Sequence, residues 1–377
     1  MRSARARTGF LRHFYIHRME QIGLETSSDV VDEIWAAICY FADVPDAGKE
    51  LLKSRGIAPD RLEDAYTSLQ SFLRQGRAFF AAARGASGRS SPLIYYYSFL
   101  NLVKALICLK WPDRVRERIP HGLSHQLKDG ALEIQTISVT DQGVFHLLYE
   151  LLLDEKVPSG LMFDVFSLLT YCGDIATEVV WVKNGRMRTL HGKSRIQVNG
   201  DEIYATLGVL NFENFEDCPS AKERFYKTFE EVDLGKDQKR SEFSLFAEET
   251  TGWRFFETID TAKGPDRNLA YKKIYTQCCD ARRPFLLEHP YQTDRCDFNL
   301  CRPLGDSSPI LFNEILGIYT TIFFLSSLVR YYPRYFEAAL VTKDVWMVEA
   351  FIRSAPVTLL RYLANRIFGQ NRQYRAR

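Results

Sequence analysis

Residues 90–107 read SSPLIYYYSFLNLVKALI, and their pattern decides the fold. Pro92 suits the first turn of a helix, where its missing N–H costs nothing. From Leu93 to Leu109 the helix is apolar nearly all round, through Leu93, Tyr96, Tyr97, Leu100, Val103, Leu106 and Ile107. Only Asn101, Lys104 and a few small residues interrupt it. A helix with no polar back belongs in the middle of a bundle. Trp111-Pro112 ends it.

Upstream, Val30, Ile34, Ile38 and Phe41 recur at helical spacing behind Asp29, so residues 29–42 are predicted to form a helix with Asp29 as N-cap. A short helix over 47–55 should stop at Gly56. Asp60 and Glu63 read as a capping-box variant before a one-sided stripe from Leu62 to Phe80. Downstream, 132–139 look like short strands, and 144–153 and 161–170 are helical. Two Asn-Gly turns follow, at Asn184-Gly185 and Asn199-Gly200, so residues 178–210 should form antiparallel sheet. A helix at 221–229, a strand at 243–259 and a turn-rich stretch over 260–305 come next. Helices over 310–331, 333–340, 343–354 and 356–366 close the chain.

The expected fold is therefore α+β, mainly α: an N-terminal helical bundle, a β-rich middle, and C-terminal helices that return to the bundle. The division is a basic arm (1–28), a helical region (29–175), a β-rich region (176–305), C-terminal helices (306–368) and a basic tail (369–377).

Composition fits a folded globular chain of 377 residues, 46% hydrophobic and 25% charged. Aromatic residues at 13% must form much of the core. The N-terminus lacks the apolar stretch of a secretory signal. The uncharged run 315–329 is shorter than a membrane span and carries Thr320, Thr321, Ser326 and Ser327, so it reads as a buried core helix. The expected setting is cytoplasmic, with no membrane partner. Eight cysteines occur without a CxxC pair, the usage of reduced, buried thiols. Cys278, Cys279, Cys296 and Cys301 lie near one another in sequence, but their spacing is irregular and no metal is expected there. The net charge of +2 hides two arginine-rich ends. Arg361, Arg366, Arg372 and Arg375 in the last stretch are candidates for nucleic-acid binding, against the plainer reading of solvated, frayed termini.

No phosphate-binding loop, dinucleotide fingerprint, nucleophile elbow or zinc signature occurs. No cofactor is expected. The most pointed segment is 114–125, RVRERIPHGLSH. Glycine beside His121 lets the backbone turn and present the imidazole. His121 could take a proton from a ribose hydroxyl, Arg116 could stabilise phosphate charge, and Ser124 could position the substrate. The spacing Arg-x(4–6)-His is also that of the HEPN ribonucleases, but six of the seven histidines satisfy it. The alternative is a structural His-Gly turn. The tyrosines of 95–97 and 331–335 read as core, with their hydroxyls and Arg330 available to a buried polar network.

Three stretches together carry a likeness: SSPLIYYYSFLNLVKALI at 90–107; His121-Gly122-Leu123-Ser124 with Gly143-Val144-Phe145; and FFLSSLVRY at 323–331 with Trp346 and Glu349. In this order they resemble the YaaC-like protein family of bacteria, over about residues 30–368. The resemblance implies the helical outline and an intracellular bacterial setting, and it brings no established reaction. The bundle invites comparison with HEPN domains, which often serve in defence systems. Glu117 and Pro120 depart from the HEPN pattern. The leading expectation is an interaction or regulatory protein, in a defence or stress system, that binds a protein partner or itself. The alternatives are a metal-independent RNase using His121 and Arg116, with RNA as partner, and a nucleic-acid binder working through its arginine-rich ends.

Overall fold

The computed structural model describes residues 2–5, 9–10, 19–24, 29–115, 118–128, 135–234, 251–264, 269–270, 273–274, 286–288, 296–304 and 310–376. The chain divides into two compact units. One joins Met1–Met19 to Arg186–Glu314, and the other joins Glu20–Gly185 to Ile315–Arg377.

The second unit is helical. Helix α1 (Val30–Asp43) starts at Asp29, whose carboxylate accepts the Val31 N–H as the sequence predicts. Helix α2 spans Pro45–Ser54, and Gly56 follows it with φ +81°. Helix α3 (Leu62–Gly85) begins after a single turn at Pro59–Arg61. No side chain caps it, so the expected capping box is not formed, and Glu63 pairs instead with Lys49 of α2. Helix α4 (Ser91–Cys108) is buried on nearly every side. Phe80 of α3 meets Trp35, Tyr95 and Phe99 with ring centroids 5.5, 5.2 and 6.0 Å apart. Each such side chain contributes about 1.5–3 kcal/mol through burial. Helix α5 covers Val144–Leu153.

The C-terminal helices belong to this unit, as expected. Glu314–Tyr331 is buried through Leu328, and Pro333–Ala339 follows it. The last two expected helices are one, Asp344–Phe368, with Pro356 inside. A proline there removes one helical hydrogen bond. Its buried neighbours Ala355, Leu359, Leu360 and Leu363 hold the helix together across the gap.

Two further expectations change. Residues 161–170 split into a strand, Met162–Asp164, and a short helix, Val165–Leu169. Val179–Val182 belong to a helix, Ala176–Lys183, rather than a strand. Its ends are electrostatically suited, with Glu178 in the first turn and Lys183 in the last, 2.9 Å from Asp344. Asn184 then adopts the left-handed conformation (φ 50°) that ends helices, so this Asn-Gly is a cap and no hairpin turn.

The first unit is a sheet. Strands Thr189–Asn199 and Glu202–Leu210 pair antiparallel, with Asn199 opposite Glu202. Here the glycine signal holds, since Gly200 takes φ +58° in a two-residue turn. Trp253–Thr258 and Cys296–Cys301 extend the sheet on either side. The N-terminal arm is not frayed where it is described. Arg2–Ser3 pairs with Phe229–Asp233, Gly9–Phe10 pairs with Thr189–Asn199, and Arg5 donates to the Thr258 and Ile259 carbonyls. The basic tail also forms a strand, Asn371–Ala376, paired with Met19–Leu24.

Among the described residues, no single helix is long and apolar enough to cross a membrane, and no group of His, Cys, Asp and Glu is arranged to hold a metal ion. Cys278 and Cys279 lie outside the described residues. Cys39, Cys108, Cys172, Cys218 and Cys301 are buried free thiols.

Candidate functional site

His121 is placed by backbone. Gly122 has φ +82° and Gly143 has φ +150°, and the two glycines cross at close range. A Cβ on Gly143 would lie 2.3 Å from the Gly122 nitrogen, so no side chain fits. Val144 N–H donates to the Pro120 carbonyl (2.9 Å), Phe145 N–H to the His121 carbonyl (3.1 Å) and Thr140 N–H to the Gly122 carbonyl (3.1 Å). The start of α5 thus spends its free N–H groups on clamping the His121 turn. Beyond the turn, the strand Leu123–Gln126 pairs with Thr136–Val139, setting Ser124 opposite Ser138 and His125 opposite Ile137. That strand went unrecognised in the sequence because it is only four residues long and three of the four are polar.

The Tyr96 hydroxyl lies 2.8 Å from His121 Nδ1. Burial holds that phenol well above its ordinary range, so it stays protonated. The imidazole is half-buried. Its burial, then the positive charges of Lys104 and Arg330, push its pKa below the usual 6.5, so it is neutral at pH 7. With Nδ1 occupied, Nε2 is the ring atom left for chemistry.

His121 opens on a pocket of about 250 Å³. Tyr96, Tyr97, Phe323 and Tyr331 supply its aromatic walls, and Ser124, His125 and Arg330 its polar groups. Ser124 is exposed there. Arg330 donates to the Tyr97 hydroxyl at 3.2 Å and lies 4.9 Å from the centre of the Tyr331 ring. His125 is packed among Phe323, Phe324, Tyr331 and Tyr332. Burial lowers its pKa too, and its Nε2 is buried without a hydrogen-bond partner among the described residues. Among the described residues, no carboxylate lines the pocket.

A family described as YaaC-like Protein matches residues 44–367. The chain belongs to the YaaC-like family. The match takes in all three of the motif stretches, and the structure shows what they build. The 90–107 helix brings Tyr96 and Tyr97, the His-Gly and Gly-Val-Phe steps form the clamp, and 323–331 brings Phe323 and Arg330. No curated protein and no solved structure matches the chain.

The structure brings His121 and Ser124 to one pocket. Arg116 lies outside the described residues. The cation at the pocket is Arg330, 209 positions downstream of His121, which the sequence reading assigned only to a polar network. Of the terminal arginines, Arg361 is half-buried and acts on Asp174, whose carboxyl is raised by burial against the pull of Thr358 and of Arg361 itself. Arg366 is half-buried, and its carbonyl accepts from Arg55. Arg372 lies 3.9 Å from the centre of the Phe368 ring. Arg375 is in the C-terminal strand. A second and larger cleft, about 640 Å³, lies on the other side of Pro120 and is lined by Arg114, Arg118, Asp141, His146, Glu150 and Lys156 among others.

Proposed function

We propose that this YaaC-like protein is an interaction or regulatory protein whose helical unit reads a ligand through the His121 pocket and passes that state to a protein partner or a second copy. The wiring of His121 carries the reading. One ring nitrogen is tied to Tyr96, the ring is kept neutral by burial and two cations, and among the described residues no carboxylate lines its pocket to orient it or return its proton. A neutral imidazole with a single open nitrogen, beside a guanidinium and aromatic walls, is equipped to recognise a ligand. Native mass spectrometry of the purified protein tests this. A small molecule retained by the wild type and lost from a folded His121→Ala variant is expected. Turnover of a substrate that disappears specifically on that substitution contradicts the reading.

One observation favours a second reading. His121, His125 and Arg330 line the same pocket, and two imidazoles with a cation can run metal-independent RNA cleavage. In that reading Arg330 takes the role expected of Arg116. RNA cleavage in EDTA by the wild type, absent from His121→Ala, would establish it.

A further inference from the structure

We propose that the His121 pocket takes a phosphate monoester with a planar organic part, the class of the nucleoside monophosphates, with Arg330 on the phosphate and Tyr97 and Tyr331 against the planar group. The inference rests on the reading of the pocket as a ligand site and names the ligand's chemistry.

Charge is the first argument. Arg330 is exposed and donates to the Tyr97 hydroxyl. Among the described residues it has no carboxylate partner. Lys104, half-buried on α4, adds a second positive charge that acts on His121. Among the described residues no acid lines the pocket wall, and Arg330 and Lys104 attract an anion there. Arginine suits phosphate because its planar fork can make two hydrogen bonds to it.

Donor geometry is the second argument. Among the described residues, His121 Nε2 is open and His125 carries a buried nitrogen without a partner, and the Ser124 hydroxyl is exposed at the pocket. An unpartnered buried nitrogen costs free energy that a bound acceptor or donor recovers. Shape is the third. Phe323 and the tyrosine rings leave a space of about 250 Å³ with aromatic sides, which suits a flat group better than a flexible chain.

Binding such an anion reverses the pressure on His121. Among the described residues, Tyr96 and Lys104 of α4 and Arg330 of the helix Glu314–Tyr331 act on that ring, with Tyr97, Tyr331 and His125 on the same pocket wall. Lys104 and Arg330 disfavour the imidazolium, and a phosphate dianion bound beside the ring favours it. Ligand binding is therefore coupled to proton uptake at His121.

The test is isothermal calorimetry at pH 7 on the full chain, in two buffers of different ionisation enthalpy. The probes are adenosine 5′-monophosphate, adenosine, inorganic phosphate and a 5′-phosphorylated tetraribonucleotide. The expected result is that the monophosphate binds with proton uptake and that adenosine binds at least tenfold more weakly. Arg330→Ala, a surface change, should lose about tenfold or more in affinity, and His121→Phe should lose the proton uptake. Tighter binding of the oligonucleotide than of the mononucleotide places the phosphate on an RNA end. The reverse places it on a free nucleotide, and both outcomes carry the proposal. Adenosine binding as tightly as its monophosphate, affinity indifferent to Arg330→Ala, or no phosphate-dependent binding overturns it. In those cases a retained small molecule that His121→Ala loses still upholds the pocket as a ligand site, so the two claims fail separately.

Discussion

Two arginines set the units of this protein apart. Arg254, in the sheet unit, is saturated. It pairs with Glu231 and Glu216, donates to the Tyr226 hydroxyl at 3.0 Å, and lies 5.0 Å from the centre of the Phe212 ring. Its two acids push its own pKa further up, against the opposing effect of burial, so it is charged throughout. Arg330, in the helical unit, has a tyrosine hydroxyl and a ring face and, among the described residues, no acid. The sheet unit spends its charges on itself. The helical unit holds its pocket with backbone and leaves the side chains open. A closed network supports a fold, whereas an open one is available to a ligand.

The comparison predicts where each unit is fragile. The largest effect should come from Gly143→Ala. The new Cβ would collide with the Gly122 backbone, at a φ that side chains rarely adopt. A loss of about 3 kcal/mol or more is expected in urea unfolding, with the His121 turn displaced. Wild-type stability in that variant would mean that the clamp does not hold the pocket.

Next comes the pair of arginine substitutions. Arg254→Ala strands the partly buried Glu231 carboxylate and leaves Glu216 with Lys222 as its remaining cation, and should cost about 2 kcal/mol. Arg330→Ala unpairs no acid among the described residues and should stay within about 0.5 kcal/mol of wild type. Equal losses in the two would erase the distinction between a closed and an open network.

The pH dependence is smaller and separates the units again. His121, His125 and His146 all belong to the helical unit, and burial depresses all three below 6.5. As pH falls through that value, the unfolded chain takes up these protons before the fold does. The unfolded state then binds more protons, so stability falls as pH drops. A lower urea midpoint at pH 5.5 than at pH 7.5 is expected, with the loss reduced when His146 is replaced by Gln. A midpoint that holds or rises at pH 5.5 would count against neutral buried imidazoles.

Legibility in the sequence followed the range of the interactions. The Asp29 cap, the all-apolar α4 and the helix Val144–Leu153 rest on local pattern, and all three stand as read. The two Asn-Gly pairs show the limit of local pattern. One ends a helix and the other turns a hairpin, because Asn at a left-handed position serves both uses. The β-branched run Val179–Val182 gave the wrong element for the same reason, since Lys183 finds Asp344 across 161 positions. Pro356 likewise needed its buried neighbours to be read correctly. The site was half legible. The His-Gly step marked His121, and the motif at 323–331 contained Arg330. What no local reading supplied is that Tyr96 reaches His121 over 25 positions and that Arg330 reaches Tyr97 over 233.

The most direct test of the open pocket is the proton itself. In a protein with labelled histidines, the ring signals of His121 are followed by NMR across pH, assigned by loss in His121→Phe. The account predicts a midpoint below 6.5 in the free protein and an upward move when adenosine 5′-monophosphate is added. A midpoint at or above 6.5 that the monophosphate does not shift would contradict it.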